Sequence, residues 1–185
     1  MKSEKLPFVV AIASVSGGGK TSAVEGLMQL LPNAKALHFD QYDLAGPEDM
    51  MAWLNDGADN NEWDLTPLLA DLDGLLTQPL HYILLDFPFA YQHAKSSKYI
   101  DFAIFIDTPL DIALTRRLMR DSSAASAQQI LEDVEFYARS GRAAYLHMLA
   151  TIKPDSDVVI DGTASLSDVV LAIIEKLEIA QNDNY

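Results

Sequence analysis

Ser14-Val15-Ser16-Gly17-Gly18-Gly19-Lys20-Thr21 is the stretch on which the fold turns. Glycines ending in Lys-Thr leave several backbone N–H groups free to converge on one anion. The lysine can reach β- and γ-phosphates, and the threonine hydroxyl suits Mg²⁺. The flanks supply the context this chemistry needs. Phe8-Val9-Val10-Ala11-Ile12-Ala13 is a short apolar run with β-branched residues, the pattern of a buried parallel strand. Downstream, Ala23, Val24, Leu27, Leu30 and Leu31 recur at helical spacing until Pro32-Asn33. Strand, glycine loop and helix in that order bring the positive end of a helix dipole to the anion. One departure stands out: Ser14 occupies the position where the usual phosphate-loop pattern opens with glycine. Lys2 and Lys5 ahead of the apolar run have the outline of a secretory signal, but Glu4 and the GGGK that follows argue against one.

Further along lie four more apolar runs, each closed by an aspartate. Ala36-Leu37-His38-Phe39 leads into Asp40, and His81-Tyr82-Ile83-Leu84-Leu85 into Asp86. Phe102-Ala103-Ile104-Phe105-Ile106 leads into Asp107, and Val158-Val159-Ile160 into Asp161. Helical patterns cover 65–77, the stretch from Thr108-Pro109 to Arg120, 126–150 with a break around Ser140-Gly141, and 165–179. The alternation predicts an α/β fold, a five-stranded parallel sheet with helices on both faces. Ligands in such sheets bind at the C-terminal strand edge, where these aspartates fall. Asp107 and Asp161 suit turn and capping duty equally well. The expected organisation is one domain over 1–185, with an acidic insertion at 43–64 near an acceptor site and an arginine-bearing lid at 116–142.

Composition narrows the function classes. There is no cysteine, so disulfides and thiolate metal sites are excluded, and the four histidines lack metal-ligand spacing. A formal charge of −14 disfavours nonspecific contact with nucleic acid. No apolar run reaches the ~18 residues of a membrane span, and a cytoplasmic location is expected. Only 13 Lys and Arg are present, so a chain that binds a polyanion must gather them locally.

Phosphoryl transfer needs a phosphate cradle, Mg²⁺, a group that activates the acceptor, and cations around the transferring phosphoryl. Ser16, Gly17, Gly18, Gly19, Lys20, Thr21 and Ser22 compose the cradle, and Thr21 with Asp86 the metal contacts. Asp40, at the same sheet edge, is the candidate general base. Arg116, Arg117 and Arg120 gather in Leu114-Thr115-Arg116-Arg117-Leu118-Met119-Arg120-Asp121. Arg117 falls on that helix's apolar face, where a charge needs a partner or an anion. Arg139 and Arg142 are weaker candidates of the same kind. Tyr42 and the loop Phe87-Pro88-Phe89-Ala90-Tyr91-Gln92-His93 offer aromatic faces for an acceptor, with Phe89, Tyr91 and His93 as substrate contacts.

Over most of its length the chain resembles P-loop kinases of the uridine kinase and phosphoribulokinase type, in the nucleoside and nucleotide kinase superfamily. Gly17-Gly18-Gly19-Lys20-Thr21 matches the Walker A end, and Asp40 sits where that family carries its acceptor-activating aspartate. Trp63-Asp64-Leu65 resembles the family's Phe-Asp-x-Asp-Leu segment. Arg116-Arg117-Leu118-Met119-Arg120-Asp121 is similar to its Arg-Arg-x-x-Arg-Asp lid signature. Lys153-Pro154 through Asp157-Val158-Val159-Ile160 resembles its last strand, which implies Gly162 and Thr163 near an adenine. Asp86-Phe87-Pro88-Phe89 departs from the Glu-Gly-Ile usual there, so the likeness speaks for "kinase" more strongly than for "uridine".

The resemblance implies ATP and Mg²⁺ as cofactors and a small, nucleoside-like acceptor, with homo-oligomerisation left open. Pantothenate, a sugar, a sugar phosphate or a nucleoside monophosphate are the alternative acceptors. A nucleotide-binding switch or a degenerate kinase is the alternative class. The Asn-Lys-x-Asp of a GTPase is absent.

Overall fold

A computed structural model describes residues 7–122 and 125–183; Lys2, Glu4 and Lys5, on which the signal-like outline rests, lie outside them. The five strands are β1 (Phe8–Ala13), β2 (Ala34–His38), β3 (Tyr82–Asp86), β4 (Phe102–Asp107) and β5 (Val158–Asp161), all parallel, in the order β2-β3-β1-β4-β5. β1 is central and fully buried beyond Phe8, as its unbroken apolar run demands. The chain leaves β1 through α1 (Lys20–Leu30) and crosses past β3 to reach β2. The crevice that opens there is the ligand position of doubly wound sheets.

Alternate side chains of each strand feed two cores. On one face Val9, Ala11, Ile83, Leu85, Ala103 and Phe105 pack with Leu68 and Leu72 of α3 (Thr66–Leu76) and with Ile152. On the other, Val10, Ile12, Leu84, Ile104 and Ile106 meet Ala23, Val24 and Leu27 of α1, and with them Val169, Ile173 and Leu177 of the final helix. Burial on both faces makes the sheet a rigid platform for its C-terminal edge.

Boundaries differ from the sequence expectation in three informative places. β2 begins at Ala34 and ends at His38, and Phe39 instead opens a single 3-10 turn, Phe39–Gln41, that carries Asp40. Lys153-Pro154 is not strand: both close the helix that precedes β5. Pro154 lies inside that last turn without an N–H to give it, and Lys153 reaches across to Asp107 at 2.5 Å. The segment 43–64 forms a short helix, α2 (Met50–Asn55), capped by Asp49, and a 3-10 turn, Asn60–Glu62. Its Trp53 is buried, donating to the Asp59 carbonyl and lying edge-on to His147.

After β3 comes a four-residue turn of helix, α4 (Ala94–Ser97), and after β4 the arginine-bearing α5 (Leu110–Asp121). α6 (Ala127–Phe136), opened by a Ser126–Gln129 capping box, runs through a π-helical turn, Tyr137–Gly141, into α7 (Arg142–Asp155). The break expected at Ser140-Gly141 is thus a widening of a continuous helix. α8 (Leu166–Asp183) ends the described chain, and no described helix is long and apolar enough to cross a membrane.

Candidate active site

The cradle follows from where β1 stops. Gly17 has φ +82°, and a Cβ there would be driven into the Ala113 carbonyl of α5, so only glycine lets loop and helix touch. Gly19, at φ +100°, caps α1 without a side-chain hydrogen bond, and α1 carries no acid in its first turn. Its N-terminal N–H groups therefore remain available to an anion. Gly18 donates to the Val15 carbonyl at 2.9 Å and accepts from Thr108 Oγ1 at 2.9 Å. Ser14, buried, turns its hydroxyl to the Val15 carbonyl at 3.0 Å.

Asp86 ends β3 directly beneath the cradle, with only 2% of its surface exposed. Lys20 Nζ contacts its Oδ1, while Oδ2 accepts from Thr21 Oγ1 at 2.7 Å and meets His38 Nδ1 at 2.9 Å. Burial pushes this carboxyl up, but the Lys20 charge and the hydrogen bonds from Lys20, His38 and Thr21 hold it below the ordinary carboxylate value. His38 carries no signal of its own in the sequence. It becomes visible only once the register places it level with Asp86 on the neighbouring strand.

A cavity of about 510 Å³ opens above the cradle. Ser16, Gly17, Gly19, Lys20, Thr21 and Ser22 form one wall, Phe39, Asp40 and Pro88 another, and Arg116, Arg120, Tyr145 and Met148 the roof. Arg120 is forked onto Asp121, which together with the charge of Asp40 raises its already high pKa. A second cavity of about 180 Å³ adjoins it, lined by Gly18, Gly19, Ser22, Ile106, Arg116, Gly162, Ala164, Leu166 and Val169. Arg116 belongs to both and donates to the Gly162 carbonyl at 2.9 Å. The structure thus gathers a phosphate cradle, a carboxylate at Asp40 and two arginines around one space, with an apolar slot beside it.

Other residues singled out in the sequence lie elsewhere. Arg117 does not face the cavity: its guanidinium donates twice to Asp133, at 3.0 and 2.9 Å, and to the Tyr145 hydroxyl at 3.4 Å. The charge on the apolar face of α5 is therefore answered by a carboxylate of α6, not by an anion. Tyr42 donates to Asp71 at 2.7 Å, and Tyr91 to Asp157 at 2.6 Å. Phe89 is buried among Phe39, Trp63 and Phe87, with ring centroids 5.3 to 5.8 Å away. His93, also buried, meets the Trp63 carbonyl at 3.1 Å. None of these five lines either cavity. Thr163 folds back on Asp161 at 2.8 Å and 2.7 Å, Arg139 pairs with Glu135 on the outside, and Arg142 is exposed. Residues 43–64 contribute nothing to the lining. Pro88, Tyr145 and Met148 are additions that sequence periodicity did not mark.

Fold and cradle define the class: the chain has the architecture of P-loop kinases. Within that class it is similar to uridine kinases. The uridine kinase of Borrelia hermsii (strain HS1 / DAH) is 25% identical over 177 residues, spanning 82% of this chain and 85% of that protein. Uridine-cytidine kinase B of Dictyostelium discoideum is 23% identical over 213 residues, spanning 94% and 84%. Among solved structures, the gluconokinase from Sinorhizobium meliloti 1021 superposes with a TM-score of 0.57 at 14% identity, covering 96% of each chain. No family model matches.

Proposed function

We propose that the protein is an ATP- and Mg²⁺-dependent kinase that transfers the γ-phosphoryl group to a hydroxyl of a small molecule, with nucleosides first among the acceptors. The observation that carries this reading is the placement of Asp40 across one cavity from Lys20 and Thr21, under Arg120. In the proposed reaction the acceptor oxygen forms a bond to the γ-phosphorus as the bond from that phosphorus to the β,γ-bridging oxygen breaks. The acceptor proton passes to Asp40, and ADP leaves. Lys20 and the loop N–H groups hold the β- and γ-phosphates, while Arg116 and Arg120 offset charge on the transferring group. The apolar slot beside Gly162 takes the base.

The donor set fits Mg²⁺. Thr21 and Asp86 offer a hydroxyl and a carboxylate oxygen 2.7 Å apart. A site with so few protein oxygens suits an ion held largely by substrate phosphates and water. When bound, Mg²⁺ supplies neutralisation of the phosphate charge.

One observation favours a second acceptor class. Phe89, Tyr91 and His93, the rings suited to stacking on a base, are engaged away from the cavity, which leaves Phe39 and Tyr145 beside Asp40. A sugar-like acceptor needs no stacking partner. The test is ADP release from Mg²⁺-ATP against nucleosides, pantothenate, sugars, sugar phosphates and nucleoside monophosphates. Release that depends on one acceptor class is expected; flat rates across the panel with nucleotide binding intact would move the protein to the switch or degenerate class.

A further inference from the structure

We infer that His38 is a positioning residue: it holds the Asp86 carboxylate in place when Lys20 and Thr21 turn from it to the nucleotide. This rests on the kinase reading above. All three partners of Asp86 are visible, but they are not equivalent. Lys20 and Thr21 sit on the first turn of α1 and line the cavity, so phosphates and Mg²⁺ compete with Asp86 for both. Once they leave, a carboxylate with 2% exposure needs another donor or its burial becomes costly.

His38 has no competing destination. It is absent from the cavity lining, and as the last residue of β2 it is register-paired with Asp86 on β3, so the parallel ladder fixes both ends of the contact. An ionised carboxylate only accepts, which assigns the proton of the 2.9 Å contact to Nδ1. The same residue is the N-cap of the 3-10 turn that carries Asp40. One side chain therefore ties the metal-side aspartate to the base of the turn holding the acceptor-side aspartate.

The experiment compares His38→Asn, whose amide nitrogen stands near the Nδ1 position, with His38→Gln, which reaches toward the Nε2 position, and with His38→Leu. Two readouts are taken on the full chain: ATP affinity by calorimetry with Mg²⁺ and with EDTA, and kcat against KM on the acceptor found by the panel. His38→Leu and His38→Gln should lose about 10–100-fold in the Mg²⁺-dependent part of ATP affinity and in kcat, as removal of an outer-shell partner does. ATP affinity in EDTA and KM for the acceptor should stay unchanged, and His38→Asn should restore most of the loss. Equal values for Asn and Gln, or wild-type Mg²⁺ dependence in folded His38→Leu, would overturn the assignment. Should His38→Leu fail to fold, the Asn–Gln comparison decides. If the wild type phosphorylates nothing, the kinase reading fails, and Mg²⁺-dependent nucleotide affinity still decides for or against His38.

Discussion

A Cβ on Gly18 would lie 2.8 Å from Cβ and Oγ of Ser14 and equally 2.8 Å from the Val15 carbonyl oxygen, so backbone and side chain together keep position 18 bare. Ser14→Gly should therefore leave nucleotide affinity within about 3-fold of wild type, the loop keeping its shape. Gly18→Ala should lower stability by about 1–3 kcal/mol in urea unfolding, since both Ser14 and the Val15 carbonyl must give way. Lys20→Ala should retain the wild-type circular dichroism spectrum while acceptor-dependent turnover falls by at least ~10²–10³-fold; a well-folded Lys20→Ala variant that still turns over would contradict the cradle. At this scale the residues that follow a strand were legible. Asp86 closes β3, Asp40 lies two residues past β2, and Lys20 and Thr21 open the helix that the glycine loop of β1 leads into. Phe89, Tyr91 and His93 were not legible, because their direction depends on a left-handed backbone at Ala90, φ +46°, where no glycine or asparagine announces the turn.

α5 and α6 are joined by a charge that the sequence left without a partner. Arg117 packs over the Tyr137 ring, 5.8 Å from its centroid, and forks onto Asp133. The contact ties the cavity's roof, which Arg120 and Tyr145 share, to α6. Asp133→Ala leaves a mostly buried guanidinium short of its partner, and unfolding should become easier by about 1–3 kcal/mol. Hydrogen exchange should report faster opening in α6 before α1; equal protection of α6 in wild type and Asp133→Ala would show that the fork does not anchor it. Helical spacing had put Arg117 on the apolar face, but the answering carboxylate lies on another helix, and spacing within one helix cannot show it. The Tyr42–Asp71 bond fastens the segment after β2 to α3. Partial burial first, then the hydrogen bond and charge of Asp71, push the Tyr42 hydroxyl to about 12. Its contribution to stability is complete below the unfolded tyrosine value of about 10 and is lost as pH rises through the folded one. The wild-type minus Tyr42→Phe difference spectrum should show a tyrosinate forming near the higher value; ionisation near the ordinary one would contradict the contact.

Across the whole molecule the alternation of strands and helices was enough for the architecture, because runs buried on both faces and amphipathic helices leave few other arrangements. The strand order was not legible: which strand lies beside β1 depends on crossovers, and it is the order β2-β3-β1 that brings His38 level with Asp86. An acidic chain has also gathered Lys20, Arg116 and Arg120 around one cavity at the sheet's C-terminal edge. That placement concentrates attraction for a polyanion where net charge alone would repel it. A Cβ on Gly162, which lines the smaller cavity, would overlap Thr108 Oγ1, the donor to Gly18. Gly162→Ala should accordingly weaken nucleotide binding, measured by calorimetry, without touching Asp40.

Phosphoryl transfer itself is read by following label from γ-labelled ATP into the acceptor for wild type and Asp40→Asn. Labelled acceptor is expected with the wild type. In Asp40→Asn a loss of about 10²–10⁴-fold is expected, with ATP affinity retained. Label that never leaves ATP except into free phosphate, or equal transfer by both proteins, would contradict the kinase reading.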